Sequence, residues 1–529
     1  MRWWGWAEPD APVEVSEAGE AMLRSELGLG DERTPPVALE DVRLPDPRPL
    51  PELGAEVRQD RETRVRHAAG RSYPDLLRLR SGDGSGAPDG VVYPASEDEV
   101  ATLLAACAAA GVAVVPFGGG TSVVGGVEGL RGSHEAVVAL DLARLDSLET
   151  DRTSLTATIG AGLPGRTAEA RLQSRGFTLG HFPQSFEFGT VGGYVATRSA
   201  GQASSGYGRI DEMVRGVRCV APAGTLEAKP VPATAAGPSL LQLLVGSEGA
   251  FGVITEATLS VRPLPAESRY ESWSFRSFEE GCDAFRAMEQ THVAPDVARL
   301  SDAPETRMAM AMSSHGGVVE RLGRAYLARR GHGSGSIAII GWEGEPGDVA
   351  RRAADTRRVL REGGGLALGK GPGESWLRNR YLGPYQRDEL LGRGMIAETL
   401  ETATSWSNLG ALHAAIHRAL RETLAGRGTP PIVAAHVSHM YPSGASLYFT
   451  FLARAQRGEE LKQWAAAKRA AMEAIVATGG TITHHHSVGR DHAEWLEAEI
   501  GELGVEALRA VKERLDPAGI MNPGKLLSG

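Results

Sequence analysis

The chain has 529 residues, of which 42% are hydrophobic and 23% charged, and its formal net charge is −10. The length exceeds what one simple core can organise, so we expect two or more domains. The acidic balance argues against a nucleic-acid-binding protein, which needs a basic face, and no run of 18 apolar residues is present that could cross a membrane.

Three cysteines without paired spacing fit a reducing compartment and predict no metal site. We therefore predict a cytoplasmic protein that binds no nucleic acid. Peripheral contact with a membrane and assembly into a homodimer are left open.

Residues 1–85 are rich in proline and charge and contain one predicted helix, Glu17–Leu27. From Gly90 the pattern becomes β-α-β, with a short strand at 91–93, a helix that begins at Ser96 and ends at Gly111, and a buried strand at 112–115. This alternation predicts a mixed sheet with a helix packed on it.

A glycine-rich loop follows that strand and reads Pro-Phe-Gly-Gly-Gly-Thr-Ser-Val-Val-Gly-Gly over residues 116–126. Glycine adopts positive φ and leaves no Cβ between the backbone amides and a ligand, as a phosphate site requires. An ordinary surface turn is the alternative, but five glycines in eleven residues are more than a turn needs. The spacing fits neither a P-loop nor G-x-G-x-x-G.

Two more glycine-rich segments follow. Residues 180–208 are dominated by small and hydroxyl side chains, and a predicted helix at 191–199 opens on a Gly-Gly pair whose amides could meet an anion. Residues 246–256 read Gly-Ser-Glu-Gly-Ala-Phe-Gly-Val-Ile-Thr-Glu and lead from a helix into a strand. Three such approaches within about 140 residues predict one large, extended, phosphate-bearing cofactor.

These segments carry a resemblance to known proteins. Pro-x-Gly-Gly-Gly-Thr-Ser, Thr-Val-Gly-Gly-x-x-Ala-Thr-Arg and Gly-Ser-Glu-Gly-x-x-Gly-Val-Ile-Thr-Glu resemble the FAD-binding half of the vanillyl-alcohol-oxidase type flavoproteins. Within that superfamily the chain resembles the alkyldihydroxyacetonephosphate synthase family over most of its length. The resemblance implies an α+β fold, with a two-subdomain FAD-binding domain of the PCMH type and an α+β cap domain built on an antiparallel sheet.

The implied division has four parts: an N-terminal segment (1–85) packed on the body, the FAD-binding domain (86–266), the substrate or cap domain (267–500) and a C-terminal segment (501–529) that returns to the FAD domain. The implied cofactor is non-covalent FAD, because the first loop offers Thr121 where some relatives tether the flavin through a histidine.

The resemblance also assigns cofactor contacts. The pyrophosphate would lie on Pro116, Phe117, Gly118, Gly119, Gly120, Thr121 and Ser122. The isoalloxazine would be flanked by Gln184, Ser185, Phe186, Glu187, Phe188, Gly189, Thr190, Thr197, Arg198, Ser199, Ala200, Glu248, Gly249, Ala250, Phe251, Gly252, Val253 and Ile254.

Two arginines are candidates for substrate binding. A guanidinium fork matches a phosphate or carboxylate bidentately. Spacing alone favours Arg387 as a surface residue paired with Asp388, whereas the resemblance implies that Arg387 binds the substrate phosphate. Arg299 matches another arginine of the family, and a structural role between cap and FAD domain is equally compatible with it.

Tyr448 lies on an alternating strand, on the polar face with Ser446 and Thr450. A hydrogen-bonded core tyrosine is the ordinary reading, and the resemblance implies an acid/base role instead. His484, His485 and His486 read as a strand end, with the outer two pointing one way and His485 the other. The resemblance places all three in the active site.

A metal site is the alternative reading of these histidines, with His436 and His439 completing it; our prediction is no metal. His436 stands where the animal synthases have an arginine, and flavin dehydrogenases of D-2-hydroxy acids use a histidine-rich metal site in this region. His436 and His439 are therefore also candidates for substrate binding.

The implied function is a FAD-dependent transferase of ether-lipid synthesis. It would replace the acyl chain of acyl-dihydroxyacetone phosphate by a fatty alcohol through a flavin N5 adduct. The alternative is a FAD-linked oxidase or dehydrogenase of a D-2-hydroxy acid, of the D-lactate or 2-hydroxyglutarate type. A flavin-binding protein without catalysis is disfavoured by the presence of Tyr448, Arg387 and the three histidines.

Overall fold

The computed structural model describes residues 1–6, 15–313 and 317–527. The strands of its N-terminal half are β1 (Glu56–Arg58), β2 (Gly90–Tyr93), β3 (Val112–Phe117), β4 (Ala136–Asp141), β5 (Leu148–Asp151), β6 (Thr156–Gly160), β7 (Phe177–Thr178), β8 (Val214–Ala221), β9 (Gly224–Ala228), β10 (Val253–Ser260) and β11 (Arg262–Pro263). They form a four-stranded sheet in the order β1-β2-β4-β3, a five-stranded antiparallel sheet in the order β5-β6-β10-β8-β9, and the pair β7–β11.

The helices of this half are α1 (Glu17–Leu27), α2 (Arg61–Arg66), α3 (Tyr73–Arg80), α4 (Glu97–Ala110), α5 (Gly165–Gln173), α6 (Val191–Ala196), α7 (Ser204–Tyr207), α8 (Ile210–Met213) and α9 (Leu240–Leu244), with a 3₁₀ turn at Leu39–Asp41. The ends of α4 follow the sequence signals. Ser96 accepts a hydrogen bond from the Glu99 amide at 3.2 Å, and Gly111 closes the helix at φ +64°. The predicted bounds of α1 agree with the structure.

The C-terminal half is built on one antiparallel sheet of seven strands: β12 (Glu267–Phe275), β13 (Val297–Ser301), β14 (Ser336–Gly344), β15 (Leu366–Gly369), β16 (Met395–Ser405), β17 (Ile432–Tyr441) and β18 (Gly444–Arg454). Their order is β15-β12-β14-β13-β17-β18-β16. The expected α+β architecture with an antiparallel cap sheet is therefore present.

The helices of the cap are α10 (Phe278–Gln290), α11 (Ala303–Met312), α12 (Val318–Arg329), α13 (Pro346–Glu362), α14 (Gly371–Asn379), α15 (Gly383–Gly392), α16 (Trp406–Gly426) and α17 (Glu460–Ala477). Leu447, Phe449 and Phe451 alternate along β18 and are fully buried in the core of the cap. Apolar positions of α10, α13, α16 and α17 join them in this core, which covers one face of the sheet. The opposite face packs in part against α1, α11, α14 and α15 and also carries the polar residues described below.

The C-terminal residues contain a 3₁₀ turn (Ala493–Trp495), α18 (Leu496–Ile500) and α19 (Glu502–Leu515), and then return to the first sheet. The Val114 amide donates to the Ile520 carbonyl at 2.8 Å, and the Asn522 amide donates to the Val114 carbonyl at 2.8 Å. At the other end of the chain, the Trp6 amide donates to Asp388 Oδ2 at 2.7 Å. Among the described residues, every helix is too short or too polar to span a bilayer.

Candidate active site

The first two glycine-rich segments pack directly against each other. A Cβ on Gly119 would lie 1.9 Å from the carbonyl oxygen of Phe188, and one on Gly118 would lie 2.3 Å from Thr190 Oγ1. Gly120 has φ +65°, which a side chain rarely tolerates. Glycine at these three positions therefore serves a close approach of two backbones.

The amides of this loop are available to a ligand. In the described part of the chain, the N–H groups of residues 118–121 donate to no protein acceptor. The Ser122 hydroxyl instead organises the loop, because Oγ accepts from the Gly126 amide at 2.9 Å. A run of amides without protein acceptors, in a partly buried loop beside a second glycine segment, is a cradle suited to bind a phosphate.

The second glycine-rich segment is held by the cap of its own helix, α6, and by the contacts of Arg198 with α9 and Val245. Thr190 caps α6, accepting from the Gly193 amide at 3.3 Å. Arg198, in the left-handed region at φ +51°, donates through Nε to the Val245 carbonyl at 3.0 Å and through Nη2 to the Gln242 carbonyl at 2.9 Å. The Arg198 guanidinium therefore ties α6 to α9, so a cofactor can meet this residue only through other atoms.

The predicted residues of the third segment divide into two groups. Ala250 and Phe251 belong to the apolar core of the cap, and Val253 and Ile254 belong to the core of the N-terminal half. Their side chains are committed to packing, which leaves their backbone for cofactor contacts. Phe117 likewise packs its ring 4.4 Å from that of His67.

Glu248 joins the two halves of the molecule. Its side chain accepts from the amides of Val488 and Gly489, both at 2.7 Å, while its own amide donates to the Ala196 carbonyl at 2.9 Å. Burial raises the pKa of Glu248 to about 7, although the two amide hydrogen bonds act in the opposite direction. Glu248, which the resemblance predicts beside the flavin, thus anchors the segment after the three histidines.

Glu401, on β16, holds the histidine segment itself. The amides of His484, His485 and His486 donate to its two carboxylate oxygens at 2.6, 3.0 and 2.8 Å, and Thr483 Oγ1 donates at 2.7 Å. Glu401 is only 2% exposed. Burial opposes its ionisation, but the surrounding imidazoles and the Thr483 hydroxyl hold the pKa of Glu401 well below its usual range.

The expectation of a strand end with alternating histidines is wrong. Residues 484–486 form a bend that curls around Glu401. In a strand their amides would point to opposite sides, whereas one buried carboxylate draws all three to the same side. Burial lowers the pKa of His485 and lowers that of His486 to about 3, so both imidazoles are neutral near pH 7.

Tyr448 lies at the centre of an aromatic and histidine cluster. Its ring stacks on His436 at 4.9 Å between centroids, and His486 meets it edge-on at 5.4 Å. His436 and Tyr448 are cross-strand partners on β17 and β18. Burial raises the pKa of Tyr448 to about 12, so the phenol is protonated at neutral pH.

His436 has two charged neighbours. Arg299 places Nη1 2.9 Å from His436 Nε2 and Nη2 3.0 Å from His436 Nδ1. Glu305 lies 2.7 Å from Arg299 and 2.9 Å from His436 Nδ1. Burial, and after it the charge of Arg299, lowers the pKa of His436. Glu305 was not among the residues singled out from the sequence.

Arg387 is buried beside the tyrosine rather than exposed and paired with Asp388. Its Nη1 donates to the Arg71 carbonyl at 3.1 Å, and its Nη2 donates to Glu398 Oε1 at 3.2 Å. Its buried Nε has no protein acceptor within the described residues. Because Arg387 has one carboxylate partner and one N–H without an acceptor among the described residues, it is suited to bind an anionic ligand.

His439 forms a second cluster with the histidine segment. One nitrogen each of His439, His484 and His485 lies within 4.8 Å of the others. His484 Nδ1 is 3.0 Å from His485 Nδ1, and the Tyr441 hydroxyl is 2.7 Å from His484 Nε2. Burial and the neighbouring histidines lower the pKa of His439 well below its usual value. The structure thus brings His439 and two of the triplet together, and separates His436 from them to the side of Tyr448.

Three comparisons with known proteins agree on one family. Two domain families match, "FAD binding domain" over residues 88–228 and "FAD linked oxidases, C-terminal domain" over residues 264–526. The alkyldihydroxyacetonephosphate synthase of Dictyostelium discoideum is 32% identical over 94% of this chain and 84% of its own length, and that of Trypanosoma brucei brucei is 34% identical over 89% and 78%. A solved structure of an alkyldihydroxyacetonephosphate synthase covers 99% of this chain and 98% of its own at 28% identity, with a TM-score of 0.85.

The chain belongs to the alkyldihydroxyacetonephosphate synthase family. It is a FAD-dependent enzyme with the two-domain fold of the FAD-linked oxidases, as its sequence predicted. The residues present fit FAD. Four consecutive amides (118–121) are free of protein acceptors, and the buried Nδ1 of His181, Oγ of Ser247 and Oδ1 of Asn522 have no partner within the described residues.

Sequence reasoning missed the acidic partners of the site. Glu401, Glu398 and Glu305 hold the histidines, Arg387 and His436 respectively. A usable signal was present for the first two, since β16 carries acids at positions where the strand is otherwise buried. Buried carboxylates on a strand indicate a buried partner.

We expect Gly119→Ala to release the cofactor. The new Cβ would displace the Phe188 carbonyl, and overpacking of this kind costs about 1–3 kcal/mol, or about 5- to 150-fold in flavin affinity. The measurement is the ratio of flavin to protein absorbance after gel filtration. Gly323→Ala is the matched control, because its Cβ would meet nothing within 4 Å. Equal flavin retention in both variants would show that the loop is not the cradle.

Glu401→Gln should destabilise the fold, because one amide oxygen cannot serve three backbone donors and each unsatisfied buried donor costs about 1–3 kcal/mol. The depressed pKa adds a pH dependence. The carboxylate contributes stability above the ordinary glutamate pKa of about 4.3, and this contribution is lost as the pH falls through the lower native pKa.

Thermal unfolding of wild type and variant from pH 7 to pH 3 tests this. The difference in melting temperature should be constant near neutrality and shrink in acid. The exposed Glu422→Gln serves as control and should match wild type at every pH. A difference that does not change with pH contradicts the assignment of an ionised Glu401.

Proposed function

We propose that this chain is an alkyldihydroxyacetonephosphate synthase that exchanges the acyl chain of acyl-dihydroxyacetone phosphate for a fatty alcohol and releases a fatty acid. The observation that carries the proposal is the juxtaposition of Arg387, Tyr448 and His486 in one buried site next to the glycine cradle. An anion-binding guanidinium, a phenolic acid and a neutral imidazole are the groups this exchange requires.

Arg387 is proposed to bind the substrate phosphate. Its guanidinium is buried and fixed by Glu398 and the Arg71 carbonyl, and its Nε–H lacks a protein acceptor among the described residues. A phosphate that accepts from Nε would lie beside Tyr448, because the charge of Arg387 is close enough to that phenol to act on its pKa. Binding through the phosphate would leave the reacting carbon within reach of the tyrosine.

Tyr448 and His486 are proposed to move the proton at that carbon. Tyr448 is protonated at neutral pH and can give its proton to the departing carboxylate, while the proton lost by the substrate carbon would return to the phenol by relay through the neutral imidazole of His486. The edge of the His486 imidazole lies against the phenol, so a proton given by Tyr448 to the substrate can be replaced through the histidine. The bend around Glu401 sets the position of His486 by holding its amide.

The bound FAD, in its oxidised form, would supply flavin N5 as the electron-accepting position for the substrate carbon once that carbon has lost its proton. The rings of His436 and His485 lie beside that of Tyr448, Arg299 contacts His436, and His439 and His484 form the adjoining cluster. We propose that these five residues orient the substrate. Peripheral membrane contact and a homodimer stay predictions, as does the four-part division of the chain.

One observation favours a second function. The nitrogens of His439, His484 and His485 converge as metal ligands would. In a hydroxy-acid dehydrogenase, such a metal and Arg387 would hold the carboxylate and hydroxyl of the substrate while a hydride passes to the flavin.

An anaerobic absorption titration distinguishes the two. We expect acyl-dihydroxyacetone phosphate to bleach the flavin band, and the addition of fatty alcohol to restore it with release of free fatty acid and no oxidised product. A panel of D-2-hydroxy acids should leave the spectrum unchanged. Bleaching by a hydroxy acid with formation of the 2-keto acid, and none by the acyl substrate, would overturn the synthase proposal.

Substitution separates the two proposed roles. Tyr448→Phe should lower kcat by about 10²- to 10⁴-fold, the usual share of a general acid, with flavin content unchanged. Arg387→Lys should mainly raise KM, by about tenfold for the loss of a charge-assisted hydrogen bond of about 1.5 kcal/mol. The exposed Tyr326→Phe is the control and should match wild type. A change of KM alone in Tyr448→Phe contradicts the proton-transfer role.

A further inference from the structure

A second group of convergent ligands lies outside the active site. Asp302, His413 and His417 each offer one ligand atom, and these atoms lie within 4.8 Å of one another. Both histidines direct Nε2 at the same carboxylate oxygen, Asp302 Oδ2, at 3.2 and 3.0 Å. His413 and His417 are one turn apart on α16, so they project from the same face of that helix.

The two nitrogen–oxygen separations are close to those of a tetrahedral metal site. Zinc bonds of about 2.0–2.1 Å separate neighbouring ligand atoms by about 3.3 Å in a tetrahedron. The measured separations of 3.2 and 3.0 Å need only a small expansion to admit the ion. Two imidazoles and one carboxylate form a ligand set that zinc accepts, with a fourth position left for water.

Binding of an ion would replace two hydrogen bonds. Without an ion, each Nε2–H donates to Asp302 Oδ2. To coordinate, each neutral imidazole would present a bare Nε2 and carry its proton on Nδ1 instead.

The group is accessible from outside the cap. His413 lines a cavity of about 550 Å³ on the helix-covered side, together with Phe278, Cys282 and Trp406. Its side chain is 20% exposed, whereas that of Asp302 is 2% exposed. An ion could therefore reach a partly buried site through this cavity.

The group also lies directly behind the active site. Phe449, whose ring is 5.9 Å from His413 and 5.5 Å from His417, follows Tyr448 on β18 and faces the opposite side of the sheet. Asp302 caps α11 by accepting from the Glu305 amide at 2.8 Å. The same Glu305 contacts Arg299 and His436 on the catalytic face.

We propose that Asp302, His413 and His417 bind a zinc-type divalent cation on the back of the cap sheet. The ion would fix the end of β13 and the start of α11, and through Glu305 it would steady His436 and Arg299. This site is independent of the proposed function, because its occupancy is measured without substrate and does not depend on which reaction the flavin supports.

The test uses full-length flavoprotein without a histidine tag, dialysed against buffered Zn²⁺ and analysed for zinc. We expect about one zinc ion per chain at this site in wild type, lost in His413→Gln and in His417→Gln. The exposed His292→Gln is the matched control and should retain it. His439→Gln should retain it as well, which separates this site from the histidine cluster of the catalytic face.

Zinc should also raise the melting temperature of wild type, because it binds the folded state, and should not raise that of His413→Gln. X-ray absorption at the zinc edge of the wild-type protein gives an answer that needs no variant. Two imidazoles with oxygen ligands support the proposal. Three imidazoles, no bound zinc, or equal zinc content in wild type, His413→Gln and His417→Gln would overturn it.

Discussion

Two buried glutamates shape the active site mainly by accepting hydrogen bonds from backbone amides. Glu401 accepts three consecutive amides from residues 484–486, and Glu248 accepts the amides of Val488 and Gly489. This segment lies outside helix and strand, so its N–H groups need acceptors from elsewhere. Glu401 lies on β16 of the C-terminal half and Glu248 between α9 and β10 of the N-terminal half, so contacts from both halves hold residues 484–489 in place.

The charged side chains in the rest of the site are paired with opposite charges. The buried Arg387 is paired with Glu398 and the half-buried Arg299 with Glu305, so each guanidinium has its own carboxylate. Unpaired, either charge would carry the large penalty of burial. Around them the imidazoles of His436, His485 and His486 are neutral and Tyr448 is protonated. An arriving phosphate therefore meets fixed donors in a site of little net charge, where a hydrogen bond is stronger than in water.

The fold and the phosphate cradle could be predicted from the sequence because short local residue patterns determine them. Patterns that span only a few residues predicted three elements: the glycine-rich loop at 116–126, the helix start at Ser96 and the alternating strand β18. What the sequence could not supply were contacts between distant elements. Glu401 meets His484 across 83 positions and Glu248 meets Val488 across 240, and no local pattern encodes such pairs.

The same reason explains the error at 484–486, where a strand was expected and a carboxylate from β16 bends the chain. Asp302 lies 111 positions from His413, and the His-x-x-x-His spacing on α16 gave no indication of its third member.

His436 is the position at which the sequence left the reaction undecided, because the resemblance to animal synthases leads one to expect an arginine there. The structure supplies a guanidinium from the neighbouring strand. Arg299 lies within 3.0 Å of both ring nitrogens of His436, and the imidazole stacks on Tyr448. A positive charge is thus present behind the tyrosine although the residue on β17 is neutral. His436 also stands apart from the convergent nitrogens of His439, His484 and His485, so its presence is explained by stacking on Tyr448 and contact with Glu305 without any role as a metal ligand. The departure at His436 therefore leaves a guanidinium beside the imidazole that stacks on Tyr448, although Arg299 matches a different arginine of the family and does not replace the one expected at 436.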